Sequence, residues 1–376
     1  MKIILMRLAV ILLNVMYLPF LPVRPKNKIT ILSRQSDRPT VDIRLLKEEL
    51  EKRSVRTVVL TKRLNKTLGG VIRYSFHMVR QMYHIASSRV IVIDGYCILT
   101  SILHKKKEQK IVQIWHSLGA IKKFGYQSVG KPGGNRADVA KVMKLYAQCD
   151  YAIAPSKVTA GYYSDAFKLP INRIKIYGLP RIDYLTKGDS EKVEEIKADY
   201  PQTREKTNVL YAPTFRKNRK IDITELVRNA RLDKYNLVIR KHWLDKTDYS
   251  WARDMGVIVD KRYSFFDWLK MCDKVITDYS AAAFEAAILD KELYFYMDDA
   301  EEYEKNIGLN MDFRKETISE FVYDDAGMLW ESINKPYDKK KLREFRKKYI
   351  EVELSGCTKR LVDFFEEMVE AQEIIR

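Results

Sequence analysis

Short apolar stretches alternate with longer amphipathic ones, and the pattern runs through the chain twice. Residues 29–32, 55–60, 90–94, 111–115, 151–154 and 174–177 are rich in Ile, Val and Leu and read as buried parallel strands. Between them, residues 41–53, 71–86, 138–147 and 156–167 carry apolar residues at helical spacing, as Ile72, Phe76, Val79 and Tyr83 do. A polar Lys- and Glu-rich segment, 185–206, holds Gly188 and Pro201 and reads as the link. A second series follows, with strands at 209–212, 237–240, 257–259, 275–277 and 293–296 and a helix at 281–289. Strand–helix alternation of this kind dictates parallel sheets covered by helices on both faces. The expectation is an α/β chain of two doubly wound domains facing each other over a cleft. Its boundaries are a hydrophobic segment at 1–27, domains at 28–190 and 191–355, and a final stretch, 356–376, whose helix at 359–374 packs back on the first domain.

A chain of 376 residues is long enough for two such cores. Lys and Arg number 68 against 50 Asp and Glu, a net charge of +18 that calls for an anionic partner. The four cysteines, Cys97, Cys149, Cys272 and Cys357, make no CxxC pair, which argues against zinc and disulfide frameworks. The first 23 residues are nearly all apolar, broken by Arg7 and Asn14 and closed by Pro19, Pro22 and Pro25. The uncharged stretch from Leu8 to Val23 contains two prolines and is short for a spanning helix. No small-residue cleavage site follows it. With Arg24, Lys26 and Lys28 just beyond, it reads as a membrane-associating helix lying on an anionic surface. A first helix packed on the protein is the alternative.

The chemistry-bearing residues fall at strand ends, where open α/β sheets hold ligands. His116 follows the 111–115 strand and is trailed by Lys122 and Lys123. Thr214 and Arg216 follow the 209–212 strand, and Arg240, Lys241 and His242 end the 237–240 strand. Asp278 and Ser280 open a helix that contains Glu285, where backbone N–H groups and a hydroxyl make an anion site or a plain N-cap. Gly178-Leu179-Pro180-Arg181-Ile182-Asp183 makes a sharp turn, with Arg181 and Asp183 as polar clamps. From Lys105 to Lys144 there are ten Lys or Arg and two acids, a field suited to a polyanion or a solvated face.

Together these segments resemble the CDP-glycerol glycerophosphotransferase family of teichoic acid synthesis. The carriers are Trp115-His116-Ser117-Leu118-Gly119 with Lys122-Lys123-Phe124-Gly125, then Gly178 to Asp183, Tyr211-Ala212-Pro213-Thr214-Phe215-Arg216, Arg240-Lys241-His242 and Thr277-Asp278-Tyr279-Ser280 with Phe284-Glu285. Tyr294 to Tyr303 and Gly356 with Lys359-Arg360 match as well, so the resemblance spans residues 28–365. Two positions depart from the family pattern: Ala281 stands where a second serine is usual, and Glu285 where aspartate is common.

The resemblance implies a GT-B fold and transfer of glycerol phosphate from CDP-glycerol to a hydroxyl of an undecaprenyl-diphosphate-linked saccharide, with release of CMP. The site would lie at the cytoplasmic face of the cell membrane. The short length looks most like the primase branch. In that frame His116 is the general base and His242 a second catalytic histidine. Lys122, Lys123, Arg181, Asp183, Thr214, Arg216, Lys241, Asp278, Ser280 and Glu285 bind substrate. No cofactor or protein-bound metal is expected, since Asp298 and Asp299 are adjacent rather than spaced; magnesium would ride on the substrate. The rivals are a CDP-ribitol-dependent transferase or polymerase, a GT-B nucleotide-sugar glycosyltransferase, and a non-enzymatic peripheral membrane protein. No recognised nucleic-acid motif is present.

Overall fold

The computed structural model of the protein describes residues 2–188, 190–216, 220–242 and 244–370. Twelve parallel strands form two sheets. The first holds β1 (Lys26–Ser33), β2 (Thr57–Thr61), β3 (Ser88–Ile93), β4 (Lys110–Gln113), β5 (Tyr151–Ala154) and β6 (Ile174–Ile176), in the order β2-β1-β3-β4-β5-β6. The second holds β7 (Thr207–Tyr211), β8 (Tyr235–Ile239), β9 (Ile258–Val259), β10 (Lys274–Thr277), β11 (Glu292–Tyr296) and β12 (Val322–Tyr323), in the order β12-β11-β10-β7-β8-β9. β-branched residues dominate the central strands because helices cover both faces. In β3 all six residues are buried, and Ile91 and Val92 pair in register with Thr30 and Ile31 of β1.

The strand order switches direction between β1 and β3 in the first sheet and between β7 and β10 in the second, while the strands themselves stay parallel. These are the points where an α/β sheet opens a crevice at its carboxyl edge. The loops after β1, β3 and β4 carry Gln35, Asp94 and His116, and those after β7 and β10 carry Thr214, Arg216, Asp278 and Ser280.

The chain divides into two compact units. One comprises residues 1–184, 306–308 and 351–376; the other comprises 185–305 and 309–350. The closing helix, Cys357–Glu370, belongs to the first unit. Arg53 pairs there with Asp363 and Glu366, and Arg89 donates to the Val369 carbonyl at 2.7 Å. Residues 371–374 of the expected helix lie outside the described residues.

Several boundaries differ from expectation for local reasons. The helix expected at 138–147 runs only Ala137–Val142, because Lys144 and Tyr146 adopt left-handed φ of +45° and +53°. That turn delivers the Tyr146 ring to Trp115 and Phe167. The helix expected at 71–86 starts earlier, at Leu68, where the Thr67 hydroxyl accepts from the Gly70 N–H and caps it. The linking segment takes in the end of helix Pro180–Thr186 and the whole of helix Ser190–Asp199. The two-residue β12 had no sequence signal.

The N-terminal helix, Lys2–Tyr17, continues through a 3-10 turn to Phe20 and is long and apolar enough to cross a membrane by length and composition. Yet it is one-sided. Val10, Leu13, Met16 and Tyr17 pack on the first unit's core, while Ile4, Leu5, Leu8, Ile11, Leu12 and Val15 face outward.

Candidate functional site

The first unit builds its site on a strained turn. Trp115, directly after β4, has φ of +60°, a left-handed conformation that costs a bulky side chain about 1–2 kcal/mol. Two features hold it. The Gln113 amide oxygen accepts from the Trp115 N–H at 2.9 Å, and the indole stacks on Phe124 at 4.3 Å. Phe124 in turn meets Tyr163 and Phe167 edge-on. Gly125 closes the same bed: its φ is +55°, and a Cβ there would lie 2.3 Å from the Ala166 carbonyl oxygen.

That turn presents His116 to the β1–β3 crevice. Its Nδ1 lies 2.9 Å from the Asp94 carbonyl oxygen, which can only accept, so the proton sits on Nδ1. The Gln35 amide, 3.2 Å from the same nitrogen, satisfies that N–H when turned to present its oxygen. Nε2 is left with its lone pair and makes no hydrogen bond among the described residues. Burial of the ring's inner edge pushes the His116 pKa down to about 4; the Asp94 carbonyl opposes this, while Arg181 and Lys122 add to it. The residue is nonetheless exposed, and the open edge leaves Nε2 reachable by a second molecule.

Beneath the histidine lies a group that sequence reasoning did not single out. Asp42 is buried. It accepts from the Arg181 backbone N–H at 2.8 Å and from Arg181 Nε at 2.9 Å, and Arg181 Nη2 reaches the His116 carbonyl oxygen at 3.0 Å. Arg181 therefore supports the histidine's backbone. Asp94 is also buried and accepts from the Ser33 hydroxyl at 2.6 Å. Burial raises its pKa to about 7, with Ser33 opposing and Asp42 reinforcing. Asp183 serves the fold: it accepts from the Cys357 and Thr358 N–H groups at 3.0 and 2.7 Å and so caps the closing helix. Lys122 and Lys123 stand half-buried beyond the turn.

In the second unit, Arg216 is caged. Its Nε and Nη2 donate to Asp299 at 2.7 and 3.0 Å, and its Nη1 lies 3.0 Å from Asp278. The guanidinium also sits over the rings of Tyr279 and Tyr303, which stack on each other at 3.9 Å. Burial alone would lower its pKa, but Asp278 and Asp299 outweigh it and hold Arg216 well above its ordinary value. Asp278 also accepts from the Thr214 N–H at 2.9 Å. The cage thus locks the β7 and β10 loops together, and Arg216, expected from the sequence to bind substrate, donates here to two carboxylates.

Two buried donors stand apart from the cage. The Thr214 hydroxyl is buried and has no hydrogen-bond partner among the described residues; neither has Arg240 Nε. A buried donor without a partner is costly, as it also is for the buried Tyr17 hydroxyl in the first unit. His242 accepts the Leu244 N–H on Nδ1 at 3.2 Å, which puts its own proton on Nε2 as a donor. Its ring stacks on Phe215. Lys241 reaches the Thr247 carbonyl at 2.8 Å. The Ser280 hydroxyl lies 3.3 Å from the Ala282 N–H, and helix Ala282–Ile288 is buried throughout, Glu285 included. A groove of about 720 Å3 opens elsewhere in this unit, beyond β11 and β12. Met297, Met311, Phe313 and Tyr323 line it, and none of the expected residues does. Among the described residues no cluster of three His, Cys, Asp or Glu side chains is arranged to hold a metal.

Comparison with known proteins agrees with this architecture. The family model described as CDP-Glycerol:Poly(glycerophosphate) glycerophosphotransferase matches residues 16–367. The chain is 29% identical over 358 residues to the teichoic acid ribitol-phosphate primase of Bacillus spizizenii (strain ATCC 23059 / NRRL B-14472 / W23), covering 92% of each chain. It is 28% identical to the teichoic acid glycerol-phosphate primase of Bacillus subtilis (strain 168), over 78% of this chain and 77% of the relative. The structure of the wall teichoic acid polymerase TagF superposes with a TM-score of 0.73 at 20% identity, over 99% of this chain and 98% of the other, so the two share a GT-B-like fold.

Proposed function

The chain belongs to the CDP-glycerol:poly(glycerophosphate) glycerophosphotransferase family, and we propose that it transfers an alditol phosphate, glycerol phosphate in the first instance, from a CDP-alditol to a hydroxyl of a membrane-lipid-linked saccharide. The observation that carries this reading is His116. Its proton is held on Nδ1 by a backbone carbonyl, while Nε2 is unprotonated and open, which is the state a general base requires. The acceptor O–H gives its proton to Nε2 as its oxygen attacks the β-phosphorus. The bond from that phosphorus to the bridging oxygen breaks, CMP leaves, and a phosphodiester remains.

Charge on the transferring group calls for preorganised donors. The Thr214 hydroxyl, the Arg240 Nε–H and the His242 Nε2–H are donors of that kind, with Lys241, Lys122 and Lys123 adding positive charge. Arg216, Asp278 and Asp299 act one step back by fixing the loop that carries Thr214. Arg181 and Asp42 do the same for His116. Ser280 and Glu285 keep the substrate-binding roles that their motif implies.

The N-terminal helix, apolar on its outward side and followed by Arg24, Lys26 and Lys28, supports residence at the inner surface of the cell membrane, where a lipid-linked acceptor is found. A ribitol donor is the second reading, supported by the relative that matches over 92% of both chains. CMP release from CDP-glycerol, CDP-ribitol and a UDP-sugar, each with and without a lipid-linked disaccharide, tests both. Acceptor-dependent CMP release from CDP-glycerol is expected. Preference for CDP-ribitol would transfer the assignment to the second reading. UDP release, or no release from any donor, would overturn the class.

A further inference from the structure

We propose that Gln35, in the loop after β1, is the positioning residue of the His116 base: its neutral side-chain amide shares the Nδ1 proton with the Asp94 carbonyl, fixes the ring's tautomer and plane, and leaves the ring's basicity unraised. This role rests on the reading of His116 as the general base, and its test reads the histidine directly as well as turnover.

An imidazole that takes a proton on Nε2 must hold its other proton on Nδ1 and keep its open edge aimed at the acceptor hydroxyl. The Asp94 carbonyl, 2.9 Å from Nδ1, fixes the tautomer, but a single acceptor leaves the ring free to rock about that bond. The Gln35 amide, 3.2 Å from the same nitrogen, is a second acceptor on a different loop and removes that freedom.

The two acceptors are themselves joined. The Ser33 hydroxyl donates to the Asp94 carboxylate at 2.6 Å and accepts the Gln35 N–H at 3.1 Å. The run of bonds from Nδ1 through Asp94, Ser33 and Gln35 therefore closes on the nitrogen where it began. The Gln35 backbone is pinned again from the loop after β2: Arg63 Nε donates to its carbonyl at 2.6 Å, and the Arg63 N–H donates to Asp37 at 2.9 Å. Gly95 keeps the space between the two side chains open, since a Cβ there would lie 3.2 Å from the Gln35 amide and 3.8 Å from His116 Nδ1. The Gly95 carbonyl is held by Gln113 Nε2 at 3.1 Å, and the other end of that buried amide takes the Trp115 N–H. A glutamine that touched the ring by chance would need none of these supports.

The partner's charge matters as much as its place. Arg181 and Lys122 lower the proton affinity of the ring, Asp42 raises it but is paired with Arg181, and the Asp94 carboxylate is turned to Ser33. A carboxylate at position 35 would set a negative charge within hydrogen-bond distance of the Nδ1–H and favour the imidazolium. An amide gives the same orientation without that charge, so Nε2 is unprotonated when the acceptor hydroxyl arrives.

The test is Gln35→Glu beside Gln35→Leu in the full chain. The ring C–H signals of His116, one of five histidines, are assigned by their loss in His116→Ala and titrated by NMR. Gln35→Glu is expected to raise the His116 pKa by about 1–3 pH units, and the acid limb of kcat/KM for acceptor-dependent CMP release is expected to move up with it. Gln35→Leu is expected to leave that pKa at or below the parental value and to lower kcat on the order of 10- to 100-fold at unchanged KM for the donor. At alkaline pH, where the imidazole is neutral in every variant, Gln35→Glu should recover parental kcat and Gln35→Leu should not. A His116 titration unmoved by Gln35→Glu overturns the proposal, and so does parental kcat in Gln35→Leu. A titration that moves while the acid limb stays in place overturns the base reading, and with it the positioning role, although the contact itself stands.

Discussion

Replacing Thr214 with valine should strengthen the protein and weaken its reaction together. The Thr214 hydroxyl is buried, sits just after β7 beside the Arg216 cage, and has no partner among the described residues. A buried polar atom left unpaired costs about 1–3 kcal/mol. Valine keeps the branched shape and removes the oxygen, and the Thr214 backbone N–H to Asp278 contact is untouched. The unliganded variant should therefore be as stable as the parent, or more stable by up to about that amount. With donor bound the sign reverses. A hydrogen bond to a charged phosphate oxygen is worth about 1.5–3 kcal/mol, so affinity for the CDP-alditol should fall about 10- to 150-fold. Urea unfolding without donor and calorimetric titration with CDP-glycerol measure the two halves. A valine variant that unfolds earlier in the absence of ligand would show that the hydroxyl is satisfied internally. Unchanged donor affinity would remove Thr214 from the phosphate site.

Four further outcomes follow from the same geometry. Arg216→Ala strands two buried carboxylates, Asp278 and Asp299, and should destabilise the protein by about 3–5 kcal/mol; loss of donor binding alone, with normal unfolding, would contradict the cage. His116→Ala should retain the fold and donor affinity while turnover falls about 10²–10⁴-fold. Because the His116 pKa is depressed from 6.5, the base stays neutral as pH falls, and the acid limb of kcat/KM should have its midpoint below 6.5; a midpoint at or above that value speaks against this residue as the base. For Asp94, a folded pKa of about 7 against 3.8 unfolded means its contribution to stability is full below 3.8 and lost as pH rises through about 7. Asp94→Asn should therefore gain stability relative to the parent between pH 5 and pH 8, and a difference that does not change with pH would refute the assignment.

The strand–helix alternation made the sheets legible because buried parallel strands are short apolar runs, and ten of the eleven expected strands lie within two residues of their observed limits; β1 starts three residues before the expected 29, and the 111–115 run ends two residues early, at Gln113. That run extends into Trp115 because an apolar residue continues the pattern, whereas the backbone there has already turned left-handed to aim His116. The positions of His116, Thr214, Lys241, His242 and Ser280 at strand ends could likewise be read in order along the chain. Which charges meet could not. Arg216 and Asp299 are separated by 83 residues and Asp42 and Arg181 by 139, so their pairing depends on the sheet order that brings their loops together. Composition marks a cation and a carboxylate alike as site candidates. Only the packed structure distinguishes an arginine whose fork donates to two buried acids from a threonine whose hydroxyl is buried with no partner among the described residues. The sequence by itself determined the two α/β series, the apolar character of the N-terminal segment and the strand ends that hold polar groups, because these follow from local periodicity and composition. The tertiary structure decided the tautomer of His116, the cage around Arg216 and the burial of a Thr214 hydroxyl with no partner among the described residues, because a hydrogen bond depends on distances set by residues far apart in the chain.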